Sequence, residues 1–443
     1  MDKPIVAIVG RPNVGKSTFF NRVSGKKTSI VENRPGVTRD RVYADCDWNG
    51  CAFALVDTGG LELKSDDVMF RHIRTQAEIA VDTADLILFF CDAKTGLSSD
   101  DYEVCNYLRK QKKPVFLVVN KADNNRYEEY ADFYSLGMDN IYPISSEAGY
   151  GVADLLDEIV KALPHRVAPE GESDRIRIAV VGRPNAGKSS LVNRILGYDR
   201  TIVSDMAGTT RDAVDTDFTY QGRKYTIVDT AGIRRQRSIE DDVESYSVMR
   251  ALGAIRRADV CLLVLDSTQE ISEQDVRIAG YINEQGKPSV VVMNKWDLVD
   301  KDTNTINKYE QKLRLELKFM DYVKSAYVSA LTGKRAEKLI SLVDEVTEAS
   351  KFRATTGTLN DVIHDCVASN PPPLKGGKRL KILYATQVDI QPPTFVVFTN
   401  DSSLMHFSYK RFLENKLREA FPLEGTPLRL FVRDKTDEGG FTR

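Results

Sequence analysis

The chain has 443 residues, which suggests about three domains. Its 62 basic and 64 acidic residues nearly cancel, so it is no polycation, and any contact with nucleic acid must use a local patch. No apolar run approaches the ~20 residues that a membrane helix needs, and no charged leader precedes the first apolar segment. The six cysteines form no C-x-x-C pair. We therefore expect a soluble, cytoplasmic protein with reduced cysteines and no membrane contact.

The first predicted element is a buried strand at residues 5–9, and a phosphate-binding motif follows it directly. Gly10-Arg-Pro-Asn-Val-Gly15-Lys16-Ser17 matches G-x-x-x-x-G-K-[ST]. The glycines let backbone N–H groups turn inward around phosphate oxygens, and the next helix presents its positive end. Lys16 is expected to reach the β and γ phosphates, and Ser17 is expected to bind Mg²⁺.

Four more apolar runs follow in this part of the chain, and segments with helical spacing separate them. They lie at residues 53–56, 86–91, 115–119 and 141–144. Continuous rather than alternating hydrophobicity indicates strands that are covered on both faces. The pattern predicts an α/β domain, with a mostly parallel sheet between layers of helices and its ligand site at the carboxyl ends of the strands.

The motifs after these runs predict a guanine nucleotide and a magnesium ion. Asp57-Thr-Gly-Gly60 suits a carboxylate that holds Mg²⁺ through water, and Thr38 would complete the metal shell when a γ-phosphate is present. In Asn120-Lys-Ala-Asp123, the carboxylate of Asp123 can accept two hydrogen bonds from guanine, whereas adenine offers no such pair. Ser145 belongs to a loop whose backbone N–H groups suit the base O6.

The same series of motifs occurs a second time, beyond a Pro- and Gly-containing linker at residues 164–174. Three motifs repeat at an offset of 172 (182 − 10, 210 − 38 and 229 − 57), and Asn294-Lys-Trp-Asp297 repeats at 174 (294 − 120). A shared register indicates a duplicated domain rather than coincidence.

The duplicated motifs define one set of predicted site residues in each copy. The residues expected to contact GTP or GDP in the first copy are Gly10, Arg11, Pro12, Asn13, Val14, Gly15, Lys16, Ser17, Thr18, Asp57, Thr58, Gly59, Gly60, Asn120, Lys121, Asp123 and Ser145. Those in the second copy are Gly182, Arg183, Pro184, Asn185, Ala186, Gly187, Lys188, Ser189, Ser190, Asp229, Thr230, Ala231, Gly232, Asn294, Lys295, Asp297, Ser329 and Ala330. The expected catalytic residues are Lys16, Thr38, Asp57, Gly60, Lys188, Thr210, Asp229 and Gly232, and the expected Mg²⁺ ligands are Ser17, Thr38, Asp57, Ser189, Thr210 and Asp229.

Both copies lack the glutamine that would orient the attacking water in a Ras-like site. Leu61 and Ile233 stand at that position, and a hydrocarbon cannot align water. Asn13 and Asn185 could place a monovalent cation beside the phosphates, or they could simply brace the loop. Spacing alone leaves these two roles open.

The last part of the chain has a different pattern. We predict a helix starting at residues 358–361, strands at 380–388, 395–398 and 428–432, and an amphipathic helix before the last strand. This segment, residues 351–443, holds 14 basic against 10 acidic residues. Its basic cluster (Lys375, Lys378, Arg379 and Lys381) could contact RNA or only water, as could Arg234, Arg235 and Arg237. It contains no Gly-x-x-Gly, the loop with which a KH domain clamps RNA.

The chain resembles the EngA (Der) family of bacterial GTPases, which joins two Era-like GTPase domains to a small C-terminal domain. The resemblance rests on the two Gly-Arg-Pro-Asn-x-Gly-Lys-Ser motifs, on Lys381-Ile-Leu-Tyr-Ala-Thr-Gln387 and on Pro392-Pro-Thr-Phe-Val-Val-Phe398. It implies a KH-like α+β domain at the C-terminus and a role in maturation of the large (50S) ribosomal subunit, with contact to ribosomal RNA. It also implies hydrolysis stimulated by K⁺, which favours the cation role of Asn13 and Asn185.

We therefore expect a GTP-hydrolysing switch with domains at residues 1–163, 175–350 and 351–443, acting as a monomer. The missing glutamine leaves open a non-catalytic scaffold that binds GTP without turnover. A tRNA-modifying GTPase shares the Asn-containing P-loop, but the duplication argues against it.

Overall fold

A computed structural model of the chain describes residues 4–24, 43–57, 77, 80–81, 84–111, 113–123, 130–164, 175–197, 201–203, 215–230, 243–375 and 377–434. The chain divides into two compact units. One is Met1–Ser173 with Ile239–Gly253, and the other is Asp174–Ser238 with Ala254–Arg443. None of the described helices is both long enough and apolar enough to cross a membrane.

The first unit contains a six-stranded sheet. Its strands are β1 (Ile5–Gly10), β2 (Tyr43–Trp48), β3 (Cys51–Asp57), β4 (Leu86–Asp92), β5 (Val115–Asn120) and β6 (Ile141–Pro143). Its helices are α1 (Lys16–Ser24), α2 (Ser99–Arg109) and α3 (Val152–Ala162), with a short 3₁₀ helix at Ala131–Leu136.

The strand order in this sheet is β2-β3-β1-β4-β5-β6, and all pairs are parallel except β2 with β3. The chain leaves β1 toward one edge and later returns to the opposite edge, so right-handed crossovers place helices on both faces. The phosphate-binding loop follows the central strand β1, which is where such sheets bind ligands.

The second unit begins with a seven-stranded sheet of the same design. Its strands are β7 (Arg175–Val181), β8 (Thr201–Val203), β9 (Thr216–Tyr220), β10 (Arg223–Val228), β11 (Val260–Asp266), β12 (Ser289–Asn294) and β13 (Lys324–Tyr327), in the order β13-β12-β11-β7-β10-β9-β8. The helices in this part of the chain are α4 (Lys188–Leu196), α5 (Val243–Arg257), α6 (Glu273–Glu284), α7 (Thr305–Glu316) and α8 (Lys338–Ser350), with 3₁₀ helices at Trp296–Leu298 and Lys318–Met320. Residues 243–253 of α5 belong to the first unit.

The end of the chain forms a small α+β domain. It contains α9 (Thr356–Ser369), a short hairpin of β14 (Leu374–Lys375) and β15 (Lys378–Arg379), β16 (Ile382–Asp389), β17 (Thr394–Thr399), a 3₁₀ helix (Ser402–Leu404), α10 (Phe407–Ala420) and β18 (Arg429–Asp434). Strand β17 lies between β16, to which it is antiparallel, and β18, to which it is parallel.

These elements confirm the predicted fold class and correct several details of the sequence analysis. Helix α9 begins before residue 358, because the hydroxyl of Thr355 caps it by accepting a hydrogen bond from the N–H of Thr358. The β14–β15 hairpin and the antiparallel strands β2, β8 and β9 were not predicted. The six cysteines are free thiols; all are buried except Cys51, which is partly exposed.

Three hydrophobic cores lie one after another along the chain. One gathers buried side chains between Val6 and Leu163, the next between Ile176 and Val346, and the third between Leu359 and Leu430. The second and third belong to the same compact unit, where the C-terminal domain contacts the seven-stranded domain through the loop before β18.

Candidate nucleotide-binding sites

The first phosphate-binding loop joins β1 to α1 and requires glycine where it passes the base-recognition motif. Gly15 has φ +93°, and a Cβ there would lie 2.1 Å from Nδ2 of Asn120. Asn13 also has a left-handed backbone, with φ 67°. The second loop repeats this geometry at Asn185 (φ 61°) and at Gly187, whose Cβ would lie 2.2 Å from Nδ2 of Asn294.

The P-loop lysine is buried in both copies and curls back onto its own loop. Nζ of Lys16 donates to the carbonyl oxygens of Gly10 at 2.6 Å and Arg11 at 2.7 Å. Nζ of Lys188 donates to those of Gly182 at 2.8 Å and Arg183 at 2.7 Å. Burial lowers the pKa of each lysine to about 8, against a smaller opposing effect of Asp57 on Lys16 and of Asp275 on Lys188. Each ammonium therefore lies inside the loop that is expected to enclose the phosphates.

Ser17 and Asp57, which the sequence assigned to the metal, are brought together in the first copy. Oγ of Ser17 donates to Oδ2 of Asp57 at 2.8 Å, and Asp57 is buried at the end of β3. Hydroxyl and carboxylate oxygens are the donors that Mg²⁺ takes, so the residues present fit this ion. In the second copy the N–H of Asp229 donates to Oδ1 of Asp215 at 2.9 Å.

The asparagine of each Asn-Lys-x-Asp motif ties the P-loop to the loop of the base site. Nδ2 of Asn120 donates to the carbonyl of Val14 at 2.8 Å, and its Oδ1 accepts from the N–H of Ser146 at 2.9 Å. Asn294 makes the same two bonds, to Ala186 at 2.9 Å and from Ala330 at 3.0 Å. Both asparagines are buried, so each holds two loops in a fixed relation.

Asp123, the predicted guanine reader of the first copy, is oriented by two donors. Oγ of Ser145 donates to its Oδ1 at 2.8 Å, and Nζ of Lys94 lies 2.7 Å from its Oδ2. The hydrogen bond from Lys94 and then that from Ser145 lower the pKa of this exposed carboxyl. Lys94 belongs to no recognised motif, and sequence analysis missed it.

Asp297, the predicted reader of the second copy, is exposed and has a different support. It lies in the Trp296–Leu298 helix. The ring of Trp296 packs against Tyr309 and Tyr327, with centroids 4.9 Å and 4.6 Å apart. This aromatic cluster packs against the loop and supports it, whereas the first copy has the small Ala122 in place of Trp296.

The backbone N–H groups expected near the base O6 already have hydrogen-bond partners within the protein. Those of Ser145 and Ser329 donate to the carbonyls of Tyr150 and Lys334, and those of Ser146 and Ala330 to the asparagines. Their contact with the base stays a prediction.

The arginine of each P-loop pairs with an aspartate on the helix that follows the neighbouring strand of the sheet, β4 in the first copy and β11 in the second. Nε of Arg11 lies 2.9 Å from Oδ1 of Asp101, and Nε of Arg183 lies 3.6 Å from Oδ2 of Asp275. Sequence analysis assigned both arginines to the nucleotide and missed both aspartates. The repeat carried a signal for the aspartates, because they recur at the offset of the later motifs, 275 − 101 = 174.

The remaining predicted residues divide into described and undescribed ones. Val14 and Ala186 are buried, Thr18 and Ser190 are exposed, and the hydroxyl of Thr230 lies 2.9 Å from that of Thr216. Several predicted positions lie outside the described residues: Thr38, Thr58, Gly59, Gly60, Leu61, Thr210, Ala231, Gly232, Ile233, Arg234, Arg235, Arg237 and the linker beyond Pro164.

Comparison with known proteins places these sites in a family. A family model described as "50S ribosome-binding GTPase" matches residues 5–121 and 177–295, and one described as "KH-domain-like of EngA bacterial GTPase enzymes, C-terminal" matches residues 353–433. A solved structure of a variant of Aquifex aeolicus Era bound to GDP.AlF4- is 26% identical and covers 46% of this chain and 73% of that one, with a TM-score of 0.30.

Two relatives match almost from end to end. GTPase Der of Alkaliphilus oremlandii is 50% identical over 98% of this chain and 99% of its own length. GTPase Der of Desulfitobacterium hafniense is 52% identical over 99% of this chain and 100% of its own length. With both GTPase models and the C-terminal model matched in order, this chain belongs to the EngA (Der) family of GTPases.

Proposed function

We propose that this GTPase binds guanine nucleotide at both of its sites and hydrolyses GTP there with Mg²⁺ and K⁺, in the maturation of the large ribosomal subunit. The observation that supports two nucleotide sites is that the same hydrogen bonds occur in both copies. In each copy the buried P-loop lysine donates to the same two carbonyls, and the asparagine clamps the same two loops. The same residue types in the same geometry support the same ligand at both sites.

Each residue type has a definite task in this reaction. Lys16 and Lys188 supply positive charge to the β and γ phosphates, and Ser17 and Asp57 hold Mg²⁺, which offsets the charge that develops in phosphoryl transfer. Asp123 and Asp297 select guanine. Asp297→Asn should shift the second site toward xanthine nucleotides, because an amide offers guanine one acceptor where the carboxylate offers two. Unchanged GTP affinity at that site would contradict the assignment.

Support for the K⁺ role comes from the P-loop asparagines. Asn13 and Asn185 are exposed, and in the described part of the chain no hydrogen bond joins either side chain to another group. An amide oxygen without such a bond is available to a cation, which agrees with the role that the family resemblance implies. A positive ion beside the phosphates would then do part of what an arginine finger does.

The K⁺ test uses chains with one working site. Lys16→Ala leaves the second site, and phosphate release is compared in KCl and NaCl at equal ionic strength. We expect faster release in KCl, and Asn185→Ala should remove that advantage, whereas Asn307→Ala, an exposed asparagine on α7, should not. Equal rates in both salts would refute the cation role, and no turnover in either would favour the scaffold.

We propose residues 1–163, 175–350 and 351–443 as the three domains of this function. The three successive hydrophobic cores support this division. The names of the matched family models support the ribosomal role and a KH-like C-terminal domain. The basic cluster gives that domain a candidate surface for ribosomal RNA, because Lys378, Arg379 and Lys381 are exposed on and after the β14–β15 hairpin.

Sedimentation with purified large subunits tests the ribosomal role. We expect association to differ between GDP, a non-hydrolysable GTP analogue and no nucleotide. Replacing Lys378, Arg379 and Lys381 by alanine should weaken binding and reduce its salt dependence, since each phosphate contact contributes to the salt slope. The control replaces three exposed lysines of the second GTPase domain, Lys308, Lys312 and Lys318. Identical sedimentation in all nucleotide states would refute the switch.

A further inference from the structure

In both copies the lysine of the Asn-Lys-x-Asp motif is paired with an aspartate that ends the neighbouring strand. Asp92 ends β4 and Asp266 ends β11, and each lies directly beside the motif asparagine in the parallel register. Nζ of Lys121 lies 2.6 Å from Oδ2 of Asp92, and Nζ of Lys295 lies 2.7 Å from Oδ2 of Asp266. No sequence motif marks these aspartates, but they recur at the offset of the later motifs, 266 − 92 = 174.

The two carboxylates are rigid supports. Their side chains are only 5% and 3% exposed. Oδ1 of Asp92 accepts from the N–H of Lys94 at 2.9 Å, and Oδ1 of Asp266 accepts from the N–H and the hydroxyl of Thr268 at 3.0 Å and 2.7 Å. A buried carboxylate with every oxygen engaged has one position available, so it fixes the ammonium that it holds.

The lysines themselves are only partly buried. They have left-handed backbones, with φ 67° at Lys121 and 60° at Lys295, and their side chains are 35% and 33% exposed. In the first copy the ammonium also donates to the carbonyl of Asn13 at 2.8 Å, so it joins the P-loop to the strand end. The ammonium of each lysine is therefore anchored, which restricts the methylene stem that leads to it.

We propose that Asp92 and Asp266 are positioning residues for nucleotide binding, which hold the lysine stem where a face of the purine ring rests on it. The reader carboxylate lies two residues further along the same loop, so the base would meet both groups together. This inference rests on the proposed binding of guanine nucleotides at these sites. The aspartates touch no part of the nucleotide and act only through the lysine.

This role makes a specific kinetic prediction. The base does not change during hydrolysis, so the support acts equally on ground state and transition state, and its loss raises KM while leaving kcat unchanged. Releasing a lysine to its full rotamer freedom corresponds to about ten- to thirtyfold weaker binding.

The test measures GDP and GTP binding at the second site, in the full chain carrying Lys16→Ala. Asp266→Asn should raise Kd for both nucleotides about ten- to thirtyfold and leave kcat within about twofold. In a Lys295→Met background, which keeps an apolar stem without the ammonium, Asp266→Asn should have little further effect on Kd. A purely structural role for Asp266 would weaken binding equally in both backgrounds, and that result would overturn the proposal.

A matched control and a separate check complete the design. Asp217 on β9 is the matched control, because it also forms an ion pair (with Arg175, 2.5 Å) and also accepts from a threonine hydroxyl. Its partner is not the motif lysine, so Asp217→Asn should leave Kd unchanged. If Asp297→Asn fails to turn the site toward xanthine nucleotides, the base assignment itself is wrong. If that shift occurs while Asp266→Asn leaves Kd unchanged, the positioning role alone is refuted.

Discussion

Gly425, in the loop before β18, is a point of contact between the C-terminal domain and the second GTPase domain. Its N–H donates to the carbonyl of Tyr322, and its own carbonyl accepts from the N–H of Ser289, both at 2.8 Å. Its φ is +74°, and a Cβ would lie 2.2 Å from Cγ1 of Val346, a fully buried side chain of α8. Gly425→Ala should therefore disturb this contact through backbone strain and through steric overlap.

The two effects have different sizes, and the chain offers a control that separates them. A left-handed backbone costs an alanine about 1–2 kcal/mol, and overpacking a core costs about 1–3 kcal/mol, so the sum is about 2–5 kcal/mol. Gly222, in the turn between β9 and β10, has φ +82° with no atom within 4 Å of a Cβ. Gly222→Ala should show the backbone cost alone, about 1–2 kcal/mol.

Urea unfolding and amide hydrogen exchange measure both variants in the full chain. Gly425→Ala should lower the midpoint of the transition that includes the C-terminal domain and should speed exchange at Ser289 and Gly425, whose N–H groups carry the contact. Gly222→Ala should leave exchange at those two amides as in the parent. Equal losses of stability, with equal exchange at Ser289, would show that the close approach to Val346 does not contribute.

Three further predictions concern charge at the nucleotide sites. Because burial lowers the pKa of Lys188 to about 8, its ammonium loses its proton as the pH rises through 8, so the Kd for GDP should rise by up to about tenfold between pH 8 and pH 9. Lys188→Arg should flatten that rise, and a flat profile in the parent would refute it. The unfolded chain binds more protons than the folded one between about pH 8 and 10.5, so stability should increase with pH in that window. At the first site we replace Lys94 by threonine, the residue that the second copy has at the equivalent position, Thr268. Lys94→Thr should free Oδ2 of Asp123 and tighten GDP binding about two- to fivefold at low salt. An unchanged Kd would show that the ion pair does not compete with the base.

The parallel strands could be predicted from the sequence because each one leaves a signal within its own few residues. A strand covered on both faces reads as a continuous apolar run, and every such run lies in or overlaps an observed strand. The antiparallel strands were missed because they alternate. Tyr43–Trp48 and Thr216–Tyr220 mix acidic and aromatic residues, as strands near a sheet edge do. The β14–β15 hairpin was missed because it contains two residues in each strand, too few for any period.

The site was predictable where a residue belongs to a recognised motif, as Ser17 and Asp57 do. The P-loops and the Asn-Lys-x-Asp motifs were found, but Lys94, Asp92 and Asp101 were not, because their partners lie far away in the chain. The fold brings them together by ending neighbouring strands at one edge of the sheet. Only the duplication could have indicated Asp92 and Asp101, which recur as Asp266 and Asp275, since a residue kept at the same offset in both copies has a reason to be kept; Lys94 has Thr268 at that offset and carried no such signal.

In the second GTPase domain, the nucleotide motifs lie at one end of the strands, and the C-terminal domain makes its contact at the other end. Asn294 ends β12 beside the P-loop, whereas Ser289 begins that strand and bonds to Gly425. Helix α6 spans the same distance, about 18 Å for its 12 residues. Asp275 at its start faces Arg183 of the P-loop, and the carbonyl of Glu284 at its end accepts from Arg429 of the C-terminal domain at 3.0 Å. The contacts of the C-terminal domain at Ser289 and Glu284 therefore lie at the ends of β12 and α6 that are away from the P-loop, and we expect α6, which contacts both, to carry a response of that domain to GTP at this site.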